Sequence, residues 1–276
     1  MTVVGGPWLA VEMLANIDYL AHLRAESARF AEVLRDARPD AHVPSCPEWN
    51  ADDLLWHLGE VQWFWGTIVR EAVRDPESLE EPHRPTDRAG LLDFFDSSST
   101  ALQKTLAETD PAETRWTWSK EQTAGFTRRR QTHEALIHRV DAELTADAER
   151  TAMDSELCGD GVDEALRIMF AAVPEWGQIE PEPASTLRIE ASDTGQSWMV
   201  TLGRFTGTDP AGTAHDDPDI VIADTDSGEE VAATVTGGAA DLDCWLWGRP
   251  TTGSLERFGD EHVHARFQKI VDQGLN

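Results

Sequence analysis

Four stretches in the first 150 residues repeat apolar side chains at steps of three and four. No feature limits the fold more, because a helix with one apolar stripe is stable only when other elements cover that stripe. From Val11 to Arg38 the stripe is Leu14, Ile17, Leu20, Leu23, Phe30 and Leu34. It stops before Pro39, and Pro44 and Pro47 bias their predecessors out of the helical region, so an extended link follows. Asn50 is an N-cap residue with Asp53 in the first turn. It opens a second helix carrying Leu54, His57, Leu58, Val61, Trp65 and Ile68 to about Val73. Residues 74–86 are charged and proline-rich and read as a loop. A third helix is predicted from Asp87 to about Glu108, through Leu91, Leu92, Phe95, Leu102 and Leu106, and Asp110-Pro111 breaks it. Arg115-Trp-Thr-Trp118 is short and aromatic and is expected to lie across the bundle before a fourth helix begins near Thr123. Four such helices with one long connection predict an antiparallel four-helix bundle.

Beyond Thr151 the period changes. A helix from Gly161 to about Ala172 leads through Pro174, Pro181 and Pro183 into runs that alternate apolar and polar residues: Ser185 to Glu190, Trp198 to Leu202, Asp219 to Ala223 and Val231 to Val235. Gly237-Gly238 opens a helix with Leu242, Trp245 and Leu246 that stops at Gly248-Arg249-Pro250, and a last helix covers about Asp260 to Asp272. The fold class is therefore α+β, with a bundle domain over residues 10–150 and a smaller α/β domain over 155–276. A chain of 276 residues is long enough for two cores.

Acidic residues outnumber basic ones by 51 to 23, for a net charge of −28. Such a field repels nucleic acid and anionic membrane surfaces, so neither is an expected partner. A small anionic substrate would need a local cluster of arginines. No run of eighteen apolar residues occurs, and the N-terminus has no basic region followed by an apolar one, so a cytoplasmic protein is expected. Cys46, Cys158 and Cys244 are too few and too scattered for a disulfide framework or a cysteine zinc site, and read as packing residues.

Within this pattern three residues stand out. Glu134 and His138 lie four apart on the fourth helix, so their side chains sit one above the other on one face. His57 lies inside the apolar stripe of the second helix, where an imidazole must be hydrogen-bonded or bound to something. Facing helices of a bundle bring such groups together. Two imidazoles and a carboxylate then suit a divalent metal with room for a further ligand. His133 is five residues from His138 and points away from it, so the His-Glu-x-x-His arrangement of zinc peptidases is absent. Arg130 and Arg139 of the fourth helix are candidates to offset the repulsion of an anionic substrate, but in so charged a helix they read more readily as solvated surface charges.

Three segments carry a family resemblance: Val43-Pro-Ser-Cys-Pro-Glu-Trp-Asn-Ala-Asp-Asp-Leu-Leu-Trp-His-Leu58, His133-Glu-Ala-Leu-Ile-His-Arg-Val-Asp-Ala-Glu143, and Asp241-Leu-Asp-Cys-Trp-Leu-Trp-Gly-Arg-Pro250. In that order they resemble the signatures of the mycothiol-dependent maleylpyruvate isomerase family. The resemblance implies a DinB-like metal-binding bundle followed by a sterol-carrier-like α/β domain. It implies a divalent metal, usually zinc, held by His57, Glu134 and His138, with mycothiol as thiol cosubstrate. It also implies that Arg249 is an anion-binding catalytic residue. The metal favours the thiolate of a bound thiol, which adds to a small electrophile or a cis-enoic acid, so the expected activity is cis–trans isomerisation or S-transfer. A monomer or homodimer is expected. Two other readings stand beside it. One is a non-catalytic metal-stabilised ligand-binding or sensor protein, in which Trp63, Trp65, Trp245 and Trp247 line an apolar cavity. The other is an iron oxygenase built on a two-histidine, one-carboxylate triad, which the lack of a β-barrel disfavours.

Overall fold

The structure, a computed structural model, describes residues 17–223 and 230–275. They divide into two compact units, one spanning Asp18–Ala152 and the other running from Met153.

The first unit is the helical bundle. Helix α1, Tyr19–Asp36, starts later than its apolar period suggests because the Asp18 carboxylate accepts from the Ala21 amide at 3.0 Å and fixes the cap there. Ile17 therefore precedes the helix, and Val11 to Asn16 of the expected first helix lie outside the described residues. Helix α2, Ala51–Glu71, opens on a reciprocal capping box between Asn50 and Asp53 and closes at Ala72, whose φ is +50°. Helix α3, Arg88–Glu108, is capped by Asp87, and helix α4, Ala124–Thr145, by Thr123. All four termini follow from short polar side chains that the sequence places ahead of apolar runs.

The helices pack α2 on α3 and α1 on α4, with α2 also meeting α4. Gly59 and Gly66 let α2 approach α3 closely. A Cβ at Gly66 would sit 3.3 Å from the Leu102 Cα, and one at Gly59 would sit 3.2 Å from the Phe94 ring. One end of the core joins Phe30, Leu34, Leu54, Leu55, Leu58, Leu91 and Phe95, and the other joins Leu23, Trp65, Ile68, Leu102 and Leu106. Each such side chain, fully buried, contributes about 1.5–3 kcal/mol. Trp65 belongs to this second cluster, stacked on Trp116 with ring centroids 5.9 Å apart.

The second unit begins with helix α5, Ser155–Glu164, which loosens into a π-helical turn over Ala165–Phe170. Its start is six residues earlier than expected because Asp154 caps the Leu157 amide. A five-stranded mixed sheet follows, ordered β3-β2-β1-β4-β5, with β1 Gly177–Ala191, β2 Ser197–Thr208, β3 Ala214–Ile222, β4 Val231–Gly237 and β5 Glu256–Gly259. Only β1 and β4 pair in parallel. Pro181 and Pro183, expected to precede the sheet, lie inside β1. The register with β2 breaks between Pro181 and Thr186, and pairing to β4 begins only at Thr186, so Pro183 falls in the break, where no ladder amide is required, and Pro181 is the last residue paired with Gly203 of β2 before it. Helix α6, Ala239–Leu246, packs on α5, and helix α7, Glu261–Val271, lays Val263, Phe267 and Ile270 towards the sheet. The α+β architecture is the expected one. The short strand β5 went unanticipated because its four residues are all exposed and carry no alternation. No helix among the described residues is long and apolar enough to cross a membrane.

Candidate metal centre

Helix α2 supplies His57 and helix α4 supplies Glu134 and His138. One ligand atom from each lies within 4.8 Å of the others, and among the described residues no other group of histidines, cysteines or carboxylates meets this test. Glu134 Oε1 is 3.2 Å from His138 Nε2 and 3.6 Å from His57 Nε2. Donors about 2.0–2.1 Å from a tetrahedral zinc sit about 3.3–3.4 Å from one another, which the two carboxylate–imidazole spacings match to a few tenths of an ångström, while the two imidazole nitrogens lie within 4.8 Å of each other. The donors are graded in exposure: 29% for the His57 side chain, 19% for Glu134 and 9% for His138. A ligand from solvent therefore reaches the group from the His57 side.

Each donor has its own partner. Arg130, buried and one turn before Glu134, donates to Glu134 Oε2 at 2.7 Å. That leaves Oε1 to face the histidines. Asp141, fully buried and one turn after His138, lies 2.9 Å from His138 Nδ1. An ionised carboxylate only accepts, so Nδ1 keeps a proton and Nε2 is the nitrogen left to face Glu134 or a cation. The Ser45 hydroxyl donates to the other oxygen of Asp141. Trp49 lies against His57, with ring centroids 4.6 Å apart, and is 6.3 Å from the His138 ring.

The electrostatics follow from these contacts. Burial alone would raise the Glu134 carboxyl, but the Arg130 charge and hydrogen bonds from His138 and His57 outweigh it and hold the group well below the ordinary carboxylate range. Burial lowers the His138 imidazole, yet hydrogen bonds and charge from Asp141 and Glu134 win and raise it to about 9. At neutral pH without a cation, His138 thus carries a proton on each nitrogen. Ligation requires the Nε2 proton to leave, so metal and proton compete for one atom.

Two sequence expectations are corrected. Arg130 and Arg139 are not solvated: their exposures are 4% and 0%. Arg139 lies away from the donors, bonded to Glu26 at 2.7 Å, Glu143 at 2.9 Å and the Thr151 carbonyl at 3.0 Å. The aromatic residue against the donors is Trp49, whereas Trp65 is a core residue. His133 is buried edge-on to Tyr19 at 6.3 Å, turned from the donors as its spacing implies. Asp141 and Ser45 were not singled out by the sequence reading, although Asp141 stands one helical turn beyond His138 and so on its face.

Comparison with known proteins decides what kind of molecule holds this group. The family profile described as the mycothiol maleylpyruvate isomerase N-terminal domain matches residues 20–143, and that of the MDMPI C-terminal domain matches residues 156–266. The chain belongs to the mycothiol maleylpyruvate isomerase family. All three donors fall inside the first matched region and Arg249 inside the second. Two solved structures share the family fold: a mycothiol-dependent maleylpyruvate isomerase, with a TM-score of 0.57, and a histidine-to-alanine mutant of the mycothiol-dependent maleylpyruvate isomerase, with 0.56. Each is 13% identical to this chain, and each match covers 88% of this chain and 93% of the other. No curated protein matches closely enough to serve as a relative. In this family member Arg249 is half-buried after helix α6, and its Nη1 donates to the Trp247 carbonyl at 2.5 Å.

Proposed function

We propose that the protein is a metal-dependent enzyme that uses a small thiol, mycothiol, to isomerise a cis-enoic acid of the maleylpyruvate type. The observation that carries this reading is the convergence of His57 Nε2, Glu134 Oε1 and His138 Nε2 from two helices. The donor set fits zinc: two imidazoles and a carboxylate, one of the histidines held in a single tautomer by Asp141. A divalent cation held there supplies a charge that favours the thiolate form of a bound thiol at neutral pH.

The chain's own residues do the rest. His57, the most exposed donor, borders the approach for thiol and substrate. Arg130 keeps Glu134 ionised and occupies its second oxygen. Trp49 shields one side of the His57 ring from water. Arg249 is the residue assigned to the anionic group of the substrate, since a net charge of −28 otherwise repels it. None of the three cysteines is required as nucleophile, because the thiol arrives with the cosubstrate. In isomerisation the thiolate adds to the activated double bond, the resulting single bond rotates, and expulsion of the thiolate leaves the trans acid. S-transfer to an electrophile would use the same donors but consume the thiol. We place the reaction in the cytoplasm, where such thiols stay reduced.

Metal analysis of purified wild type, His57→Ala and the double variant Glu134→Ala with His138→Ala tests the proposal. One divalent ion per wild-type chain and loss of it in both variants is the expected result. Equal metal content in all three would end the reading. Thiol titration during turnover of a cis-enoic acid separates isomerisation, where thiol is conserved, from transfer, where it disappears. Iron with oxygen uptake would point instead to an oxygenase.

A further inference from the structure

The segment between α1 and α2 carries the first half of the Val43–Leu58 signature, and none of the residues in that half belongs to the donor set. It is a closed loop. Val43 N–H donates to the Trp49 carbonyl at 3.0 Å, Cys46 N–H to the Val43 carbonyl at 3.1 Å, and Trp49 N–H to the Cys46 carbonyl at 2.9 Å. A bridge between His42 and Asn50 joins its two ends. Asn50 then caps α2, the helix that presents His57.

Two side chains leave this loop towards the donors. Ser45, 96 residues from Asp141 in sequence, donates its hydroxyl proton to Asp141 Oδ1, and Asp141 Oδ2 accepts from His138 Nδ1 at 2.9 Å. Trp49 lies against the His57 ring at 4.6 Å. The loop thus touches both imidazoles, one through a hydrogen-bonded chain and one by ring contact. A link whose task was only to join two helices would need neither a hydroxyl at position 45 nor a carboxylate sealed at 0% exposure on the opposite helix. A buried carboxylate is costly unless its lone pairs are used, and Ser45 and His138 use one oxygen each.

We propose that Ser45 and Asp141 form a positioning relay that fixes the ring and tautomer of His138, so that the loop over 43–50 sets the affinity of the metal centre. The inference rests on the metal-centre reading above and adds residues to it. Asp141 holds the Nδ1 proton and thereby directs Nε2 to the cation. Ser45 holds Asp141 in the rotamer that does so. Neither residue touches substrate. Partners of this kind typically govern metal affinity by about 10–100-fold.

The test is zinc affinity by competition with a chromophoric chelator, together with the visible spectrum of the cobalt-substituted protein and thermal melting of the metal-free form. Asp141→Asn should weaken zinc by about 10–100-fold. Ser45→Ala should weaken it less, Ser45→Thr should restore it, and Ser45→Ala combined with Asp141→Asn should be no weaker than Asp141→Asn alone, because the two act in one chain. The cobalt spectrum should shift in Asp141→Asn. Wild-type affinity and an unchanged spectrum in Ser45→Ala and Asp141→Asn would overturn the relay. A readout free of metal keeps the two readings apart: long-range nitrogen–proton NMR of the metal-free protein should show the His138 Nδ1 proton in wild type, displaced in Ser45→Ala. A wild type that binds no zinc but shows that displacement defeats the metal-centre reading, and with it the loop's role in affinity, while the orienting of His138 by Ser45 and Asp141 stands. An identical His138 signal in both proteins defeats the relay.

Discussion

Arg139→Met offers a quantitative check on how the bundle is held together. The guanidinium is fully buried and donates to Glu26 Oε2 at 2.7 Å, to Glu143 Oε2 at 2.9 Å and to the Thr151 carbonyl. Methionine keeps most of the volume of the stem, so the substitution removes the charge more than the packing. Glu143 retains Arg29 and two bonds from Thr151, but Glu26 loses the cation that offsets its burial. Removing one partner from a buried ion pair costs about 3–5 kcal/mol. For a unit of this size that lowers the melting temperature of the helical part by roughly 10–15 °C.

The sign of the pH dependence sharpens the prediction. In wild type, burial raises Glu143, yet hydrogen bonds from Thr151, Arg29 and Arg139 win and hold it below its ordinary value. Its contribution is therefore present above the unfolded value and is lost as pH falls through the folded one. Burial already raises Glu26 despite Arg139. Without the guanidinium it rises further, and a raised carboxyl contributes stability at low pH that disappears as pH rises through the folded value. The deficit of Arg139→Met should consequently be larger at pH 8 than at pH 5, measured by circular dichroism melts at 222 nm. A deficit below about 1 kcal/mol, the size expected of a surface pair, and equal at both pH values, would refute the reasoning.

Two further outcomes follow from the structure. Gly66→Val places a branched side chain against the Leu102 backbone 3.3 Å away and should destabilise the bundle by about 1–3 kcal/mol in urea titration, without altering metal content per folded chain. Arg249→Met should leave metal content unchanged while lowering kcat/KM for an anionic cis-enoic acid by tenfold or more, about 1.4 kcal/mol or above, and far less for a neutral ester of the same acid; equal losses for acid and ester would remove Arg249 from anion binding.

Much of this architecture was legible in the sequence because the signals are local. Asn50, Asp87 and Thr123 mark the starts of α2, α3 and α4, and the spacing of Glu134 and His138 alone places both on one face. His57 could be paired with them because a polar residue within an apolar stripe needs a partner. What stayed hidden is non-local. Arg139 looks like any charged helix residue paired one turn on with Glu143 until Glu26 of α1 closes on it from across the bundle. Ser45 finds Asp141 across 96 residues of chain, a contact no periodicity announces. Strand β5 is held by its pairing with β4 rather than by an apolar pattern of its own. The start of α1 turned on one capping carboxylate, Asp18, that outweighed an apolar period running through Ile17.

The most direct test of the central claim is the visible spectrum of the cobalt-substituted wild type before and after addition of mycothiol, with His57→Ala alongside. The account predicts one cobalt per wild-type chain, a new sulfur-to-metal charge-transfer band when the thiol is added, and neither in His57→Ala. A wild type that takes up no cobalt, or a cobalt centre whose spectrum the thiol leaves untouched, would contradict it.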